Sequence, residues 1–240
     1  MPAPTPTPGA PEPAAVRAMF DRIAGRYDLL NHLLSAGVDV LWRRRALELV
    51  ELGPSARVLD LCTGTGELLI EALGRVPRLS GVGVDLSRGM LARGARKLRA
   101  RGFAPRAALL AAAAEQLPFR GEVFDAAFVA FGIRNVAEPK AALRELGRVL
   151  RPGGRLVVLE FSEPVGPLAP VFRLYFRRLL PRLAGLLSDG PAYAYLPASV
   201  ARFPSPEAFA GLLRAAGLGG VAWRRLTGGI ACLHQGTKPA

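Results

Sequence analysis

Short apolar runs alternate with stretches of helical periodicity through the middle of this chain. Apolar runs over residues 57–61, 81–85, 107–112, 126–131 and 155–161 have the length of strands. Between them, residues 67–74, 88–101 and 139–150 carry the spacing of amphipathic helices. Strand and helix alternating at this interval predict βαβ units, right-handed crossovers and a parallel sheet. The ends of the chain differ from the middle. Val16, Met19, Phe20 and Ile23, followed by Tyr27, Leu30 and Leu34, predict a helix over 14–34. A second helix is expected over 40–52, stopped by Gly53-Pro54. Residues 221–226, the turn Thr227-Gly228-Gly229 and residues 230–236 read as strand, tight turn, strand, which closes the sheet with an antiparallel hairpin.

Two further segments complete the organisation. Residues 162–203 form a helical insertion too long to be a plain connection, and it reads as a lid or substrate wall. Residues 1–13 have Pro at nearly every second position and no charged start or apolar stretch, so they read as a disordered or polyproline-like tail. Residues 14–240 are then expected to be one domain, with residues 14–52 as an N-terminal helical lid.

The most informative chemistry lies in Val58-Leu59-Asp60-Leu61-Cys62-Thr63-Gly64-Thr65-Gly66-Glu67. A buried strand here runs into a glycine-rich turn before a helix, and Gly64 and Gly66 let the backbone approach a ligand closely. Asp60 puts a carboxylate at the edge where open α/β sheets bind ligands. The second strand also ends in an acid, Asp85, placed to accept hydrogen bonds from a ribose diol. Together these residues point to a nucleoside cofactor. The dinucleotide fingerprint would want a third small residue where Leu69 stands, and Asp60 and Glu67 would repel a pyrophosphate. The same acids suit a cation with an amino-acid tail, so S-adenosylmethionine fits better than NAD. The terminal hairpin agrees. The expectation is an α/β, Rossmann-like class I methyltransferase with a seven-stranded sheet.

Composition changes this picture little. The 240 residues are 50% hydrophobic, and the two cysteines fit a reducing compartment rather than a disulfide scaffold. Cys62 has no His near it in sequence and reads as a small residue filling a tight turn. No apolar run is long enough for a membrane span. The formal net charge of +13 raises nucleic acid, an anionic membrane, or a mere Arg-rich bias. The basic residues are dispersed rather than gathered with aromatics, so no nucleic acid is expected.

Four blocks resemble the quinone-biosynthesis C-methyltransferases, the family that methylates demethylmenaquinol and related ubiquinone precursors. They are Tyr27-Asp28-Leu29-Leu30-Asn31 through Trp42, the loop from Leu59 to Gly66, Phe131-Gly132-Ile133-Arg134-Asn135-Val136, and Arg151-Pro152-Gly153-Gly154 through Glu160-Phe161-Ser162. The resemblance covers about residues 16–238. It implies C-methylation of demethylmenaquinol, with a ubiquinone precursor as the alternative; the net charge keeps RNA or another small molecule as the rival acceptor, and no metal is expected. The chain departs from the pattern at Asp39, where His is usual, and at Ala113, where an Asn or Asp would contact adenine.

Carried onto this chain, Asp60, Thr63, Gly64, Thr65 and Gly66 would hold the methionine portion. Asp85 would take the ribose, with Leu86, Ala113 and Ala114 around the adenine. Arg134 would stabilise a forming phenolate. Tyr27, Asp28, Asn31 and His32 would form the substrate lid, with Asp28 or His32 a candidate base. Glu160 either points into the cleft or pairs with an Arg. Residues 171–183, with Arg173, Arg177, Arg178 and Arg182, could lie on an anionic bilayer, where a prenylated quinol resides, or pack on the domain as a lid. A cytoplasmic protein, peripheral on the inner membrane face, is the expected setting, with a homo-oligomer left open.

Overall fold

A computed structural model of the chain describes residues 12–35, 37–166, 169–170 and 191–240. Seven strands, β1 (Arg57–Leu61), β2 (Ser80–Asp85), β3 (Ala107–Ala111), β4 (Phe124–Ala130), β5 (Leu150–Phe161), β6 (Gly219–Leu226) and β7 (Ala231–Thr237), form one sheet in the order β3-β2-β1-β4-β5-β7-β6. The first five pair in parallel, and β7 runs antiparallel between β5 and β6. The expected sheet and its closing hairpin are both present. At the hairpin turn Thr227, Gly228 and Gly229 all have positive φ, a path that requires glycine at its centre.

Helices cover both faces. On one, α6 (Pro139–Val149) and α8 (Pro206–Ala215) place Leu143, Leu146, Phe209 and Leu213 in a buried cluster with Leu59, Leu61, Val129 and Val158 of the strands. On the other, α3 (Val38–Leu47) and α4 (Glu67–Arg75) pack Trp42, Leu69 and Leu73 with Val58, Phe128 and Val157. Successive strand residues therefore alternate between two apolar layers, which is why β1 reads as a continuous apolar run interrupted by one acid. Trp42 also donates from Nε1 to Thr227 Oγ1 at 2.9 Å, tying α3 to the hairpin turn.

The N-terminal segment departs from the expected single helix over 14–34. It breaks near Gly25 into α1 (Pro13–Ile23) and α2 (Tyr27–Leu34), with Phe20 and Tyr27 packed edge to face across the break at 5.9 Å. The second expected helix starts two residues early and ends at Leu47, its last turn closing through Leu49 N–H to Ala46 O and Val50 N–H to Leu47 O. α1 packs on α5 (Arg88–Ala100). Within the expected insertion, α7 (Pro191–Arg202) packs on α1 and on the turn 133–135. The basic segment 171–183 and most of the expected N-terminal tail lie outside the described residues.

Candidate active site

The strand order reverses between β1 and β4, so connections leave their carboxyl ends in opposite directions and open a crevice there. Each strand is followed by a residue with left-handed backbone that is not glycine: Cys62 at φ 56° after β1 and Phe131 at φ 58° after β4. Such residues are uncommon and concentrate at functional sites. The two tips touch, because a Cβ on Gly132 would lie 2.2 Å from the Cys62 Cβ. Beyond Cys62, Gly64 (φ 56°) and Gly66 (φ 80°) carry the chain into α4, with Gly66 N–H donating to Thr63 O at 2.9 Å.

Two adjoining cavities fill the crevice and share Tyr27, Cys62, Gly64, Ala130 and Phe131. The smaller, of about 350 Å³, is lined by the acids Asp28, Asp39, Asp60 and Glu67 together with Thr63, Thr65 and Asn31. Asp60 is buried beneath the loop and accepts from Thr63 Oγ1 at 2.6 Å. Burial pushes its carboxyl up to about 7, against the pull of the Thr63 hydrogen bond. Arg43, a cation in the same wall, is committed to Asp39, which also accepts from Ser35. The chamber therefore suits an ammonium better than an anion.

The larger cavity, of about 500 Å³, is lined by apolar side chains such as Leu86, Met90, Phe20 and Val136, by Ala113 and Ala114, and by Asp85. Asp85 accepts from Gly64 N–H at 2.8 Å and Ser87 N–H at 2.9 Å, which aims its carboxylate across the mouth of the glycine loop. Burial raises its affinity for a proton, and those backbone hydrogen bonds oppose the rise. A Cβ on Gly64 would meet nothing within 4 Å, so that side of the loop is open to a ligand. Apolar walls with the Asp85 carboxylate at the mouth of the loop suit a purine nucleoside, and the paired chambers fit S-adenosylmethionine. Among the described residues no cluster of His, Cys, Asp and Glu could hold a metal ion.

The two N-terminal helices are bound to both chambers by contacts the sequence did not announce. Asp21 of α1 accepts from Ser87 Oγ at 2.6 Å and from Gly89 N–H at 2.9 Å. Asp28 of α2 accepts from Thr65 Oγ1, from Arg93 Nε at 3.2 Å and from Lys97 Nζ at 3.0 Å. Burial alone would raise the Asp28 carboxyl, but the Thr65 hydrogen bond and the Lys97 charge overrule it and hold it low. This is the bonding of an anchor, so the reading of Asp28 as a base gives way to one in which it pins α2 to the glycine loop. Tyr27 stands where the chambers meet. Burial raises its phenol, offset in part by a hydrogen bond with Asn31 and the charge of Arg134, so it stays protonated. His32 is exposed at the rim of the smaller cavity and reaches Asp39 at 3.6 Å.

Arg134 departs from expectation. It lines neither chamber and is buried behind Phe131, bonded to Glu160 at 2.6 Å with side-chain exposures of 7% and 0%. Its Nη1 also donates to Phe131 O, its Nε to Ser199 Oγ of α7 at 3.3 Å, and its guanidinium lies 5.2 Å from the Phe161 ring. The open question over Glu160 is settled in favour of an Arg partner. Cys62 is no nucleophile: burial, then the nearby carboxylates, push its thiol well up.

Known proteins agree with this geometry. The ubiE/COQ5 methyltransferase family matches residues 10–238. A ubiquinone/menaquinone biosynthesis C-methyltransferase UbiE of Syntrophotalea carbinolica is 50% identical over 224 residues, 92% of this chain and 93% of that protein. A demethylmenaquinone methyltransferase of Thermus thermophilus is 50% identical over 223 residues, 92% of this chain and 100% of that protein. Among solved structures, the [4+2]-cyclase SpnF superposes with a TM-score of 0.72 at 20% identity, covering 96% of this chain and 98% of that one. A SAM-dependent methyltransferase from Thermotoga maritima follows at 0.66 and 21%, covering 93% and 99%. A cyclase on the same scaffold shows that fold alone does not set the chemistry. The sequence relatives do. With the family matched along almost its whole length, the chain belongs to the ubiE/COQ5 methyltransferase family and is an S-adenosylmethionine-dependent methyltransferase.

Proposed function

We propose that this enzyme methylates a ring carbon of demethylmenaquinol and so completes menaquinol. The observation that carries the reading is the 50% identity, over essentially its full length, to a protein named demethylmenaquinone methyltransferase. In the crevice, Asp60, Thr63, Gly64, Thr65 and Gly66 take the methionine portion, Asp85 the ribose, and Leu86, Ala113 and Ala114 flank the adenine. S-adenosylmethionine supplies a methyl on a sulfonium, and transfer leaves a neutral thioether. The residues have to align that methyl with an electron-rich carbon and exclude water. The acceptor carbon gives its electron pair to the methyl as a quinol hydroxyl loses its proton; the ring then loses its C–H proton and the oxygen regains one, so one proton is released in all. The charge of Arg134 is felt at Tyr27, where the chambers meet, so it favours a phenolate forming there. Arg134 acts through space, from behind Phe131.

Among the described residues no helix is long and apolar enough to cross a membrane. The net charge of +13 and the run of Arg173, Arg177, Arg178 and Arg182 support action at an anionic membrane face, where a prenylated quinol is reached from the cytoplasm. Incubation with methyl-labelled S-adenosylmethionine tests the acceptor. Label should enter demethylmenaquinol and not RNA. Label confined to RNA, or to a ubiquinone-precursor benzoquinol, would replace this acceptor with that one.

The raised Asp60 carboxyl makes cofactor affinity depend on pH. Its folded value of about 7 lies above the ordinary value of 3.8, so the empty protein takes up a proton on folding and this group lowers stability as pH rises from about 4 to about 7. A bound ammonium reverses the preference. S-adenosylhomocysteine should bind more tightly from about pH 6 to about pH 8, with a proton released on binding at the lower end. Calorimetry in buffers of different ionisation heat reads both effects, and Asp60→Asn should flatten them. An affinity independent of pH in the unsubstituted enzyme would remove Asp60 from the ammonium site.

A further inference from the structure

Where the chain following β3 lines the larger cavity, its side-chain acceptor is Glu115, whose carboxylate accepts from Glu138 N–H. Ala113 and Ala114 present only backbone there, so an adenine ring lying on Leu86, which is 39% exposed, finds no side-chain partner for its 6-amino group at those two positions. The segment after β4 forms another part of the same wall. Ile133 and Val136 share a buried apolar cluster with Ala114 and Leu117. Glu138 N–H donates to the Glu115 carboxylate at 3.2 Å. These contacts hold residues 133–138 against the loop after β3, and Asn135, within that segment, lines the cavity. Its side-chain oxygen is buried and accepts no hydrogen bond. Buried polar atoms are nearly always paired, so an unpaired acceptor on a residue of the cavity wall marks an incomplete site.

We infer that Asn135 reads the adenine in this enzyme, a task Ala113 has no group to perform. A primary amide matches one edge of adenine: its oxygen accepts from the exocyclic amine while its nitrogen donates to the neighbouring ring nitrogen. Glu115 is less suited, since its carboxylate already holds Glu138 and would face the ring nitrogen with a second acceptor. The inference rests on the cofactor placement proposed above and adds to it the residue that selects adenine over other purines.

Calorimetry with S-adenosylhomocysteine and with its 6-deamino analogue, in which the purine carries no amine, tests it. The unsubstituted enzyme should prefer the adenine form by about tenfold, the worth of a buried hydrogen bond of this kind. Asn135→Ala should bind both equally, near the weaker value. Asn135→Asp, which keeps an acceptor oxygen, should retain a preference. Asn135→Ser carries the alanine expectation should that variant fold poorly. Asp85→Ala is the control and should weaken both compounds in the same proportion. If Asp85→Ala behaves so and Asn135→Ala keeps the full preference, the inference is overturned and the cofactor placement stands. If Asp85→Ala weakens neither, the placement is wrong and the inference falls with it. An unsubstituted enzyme with no preference for the amine also overturns it, and unchanged binding with a raised KM for the quinol would move Asn135 to the acceptor site.

Discussion

Gly132→Ala is expected to lower stability by about 3 kcal/mol, the upper end of what overpacking costs, and to weaken S-adenosylhomocysteine binding with it. Gly132 has φ near −121°, which any residue adopts, so the penalty is not one of backbone preference. It is one of space. The added methyl would sit 2.2 Å from the Cβ of Cys62 and 3.0 Å from its sulfur, where carbons ordinarily approach to about 3.5–4.0 Å. Relief requires the tips of β1 and β4 to separate, although these are neighbouring paired strands whose ends form the floor of both chambers. The obstacle identifies its own rescue. Cys62→Gly removes the Cβ and places glycine at φ 56°, where it is at ease, so the double substitution should recover most of the loss. Cys62→Ala keeps the Cβ and should recover little. Urea unfolding of the three single and two double variants gives the coupling. Equal rescue by both would show that the sulfur is the obstacle.

Glu160→Ala is expected to cost about 3–5 kcal/mol, the cost of stranding one member of a buried ion pair. Arg134 would be left with its charge buried and no means to discharge it, since guanidinium does not lose its proton in proteins. The converse substitution is milder. Burial already raises the Glu160 carboxyl, and the charge of Arg134 only partly pulls it back. In Arg134→Ala the carboxyl can take up a proton and become neutral. That variant should therefore be more stable at about pH 6 than at about pH 8 relative to the unsubstituted enzyme, because a protonated Glu160 costs little to bury. It should also lose turnover while binding S-adenosylhomocysteine normally, because Arg134 lies behind Phe131 and outside both chambers. Unfolding midpoints at the two pH values decide the matter. Equal losses for the two substitutions at both values would contradict an ionised pair.

What could be read from the sequence, and what could not, divides along the range of the contacts. The strand β1, its glycine loop and the acids Asp60 and Asp85 are legible because apolar runs, strand-end acids and glycine punctuation are local signals. The structure places all of these at one crevice. Gly66 is the partial exception: it sits in the turn as expected but lines neither chamber, serving the path of the chain instead. The clamp of the two N-terminal helices was not legible. Asp21 meets Ser87 across 66 residues and Asp28 meets Thr65 across 37, and no periodicity announces a hydrogen bond between helices so far apart. Ser87 alone carried a signal, as the N-cap of α5 through Met90 N–H at 3.1 Å. Arg134 was found by its motif and misplaced by it, since only the fold shows that β5 ends with Glu160 beneath it. The break at Gly25 escaped because a helical period continues through it on both sides.

In the mechanism proposed, this crevice delivers a methyl cation equivalent to a carbon made nucleophilic by a quinol hydroxyl. The measurement to make is the rate of label transfer from S-adenosylmethionine to reduced and to oxidised demethylmenaquinone, with the position of the label read by mass spectrometry. Transfer to a ring carbon of the quinol, and none to the quinone, is the predicted result. Transfer to oxygen, or equal transfer to both redox forms, would contradict it.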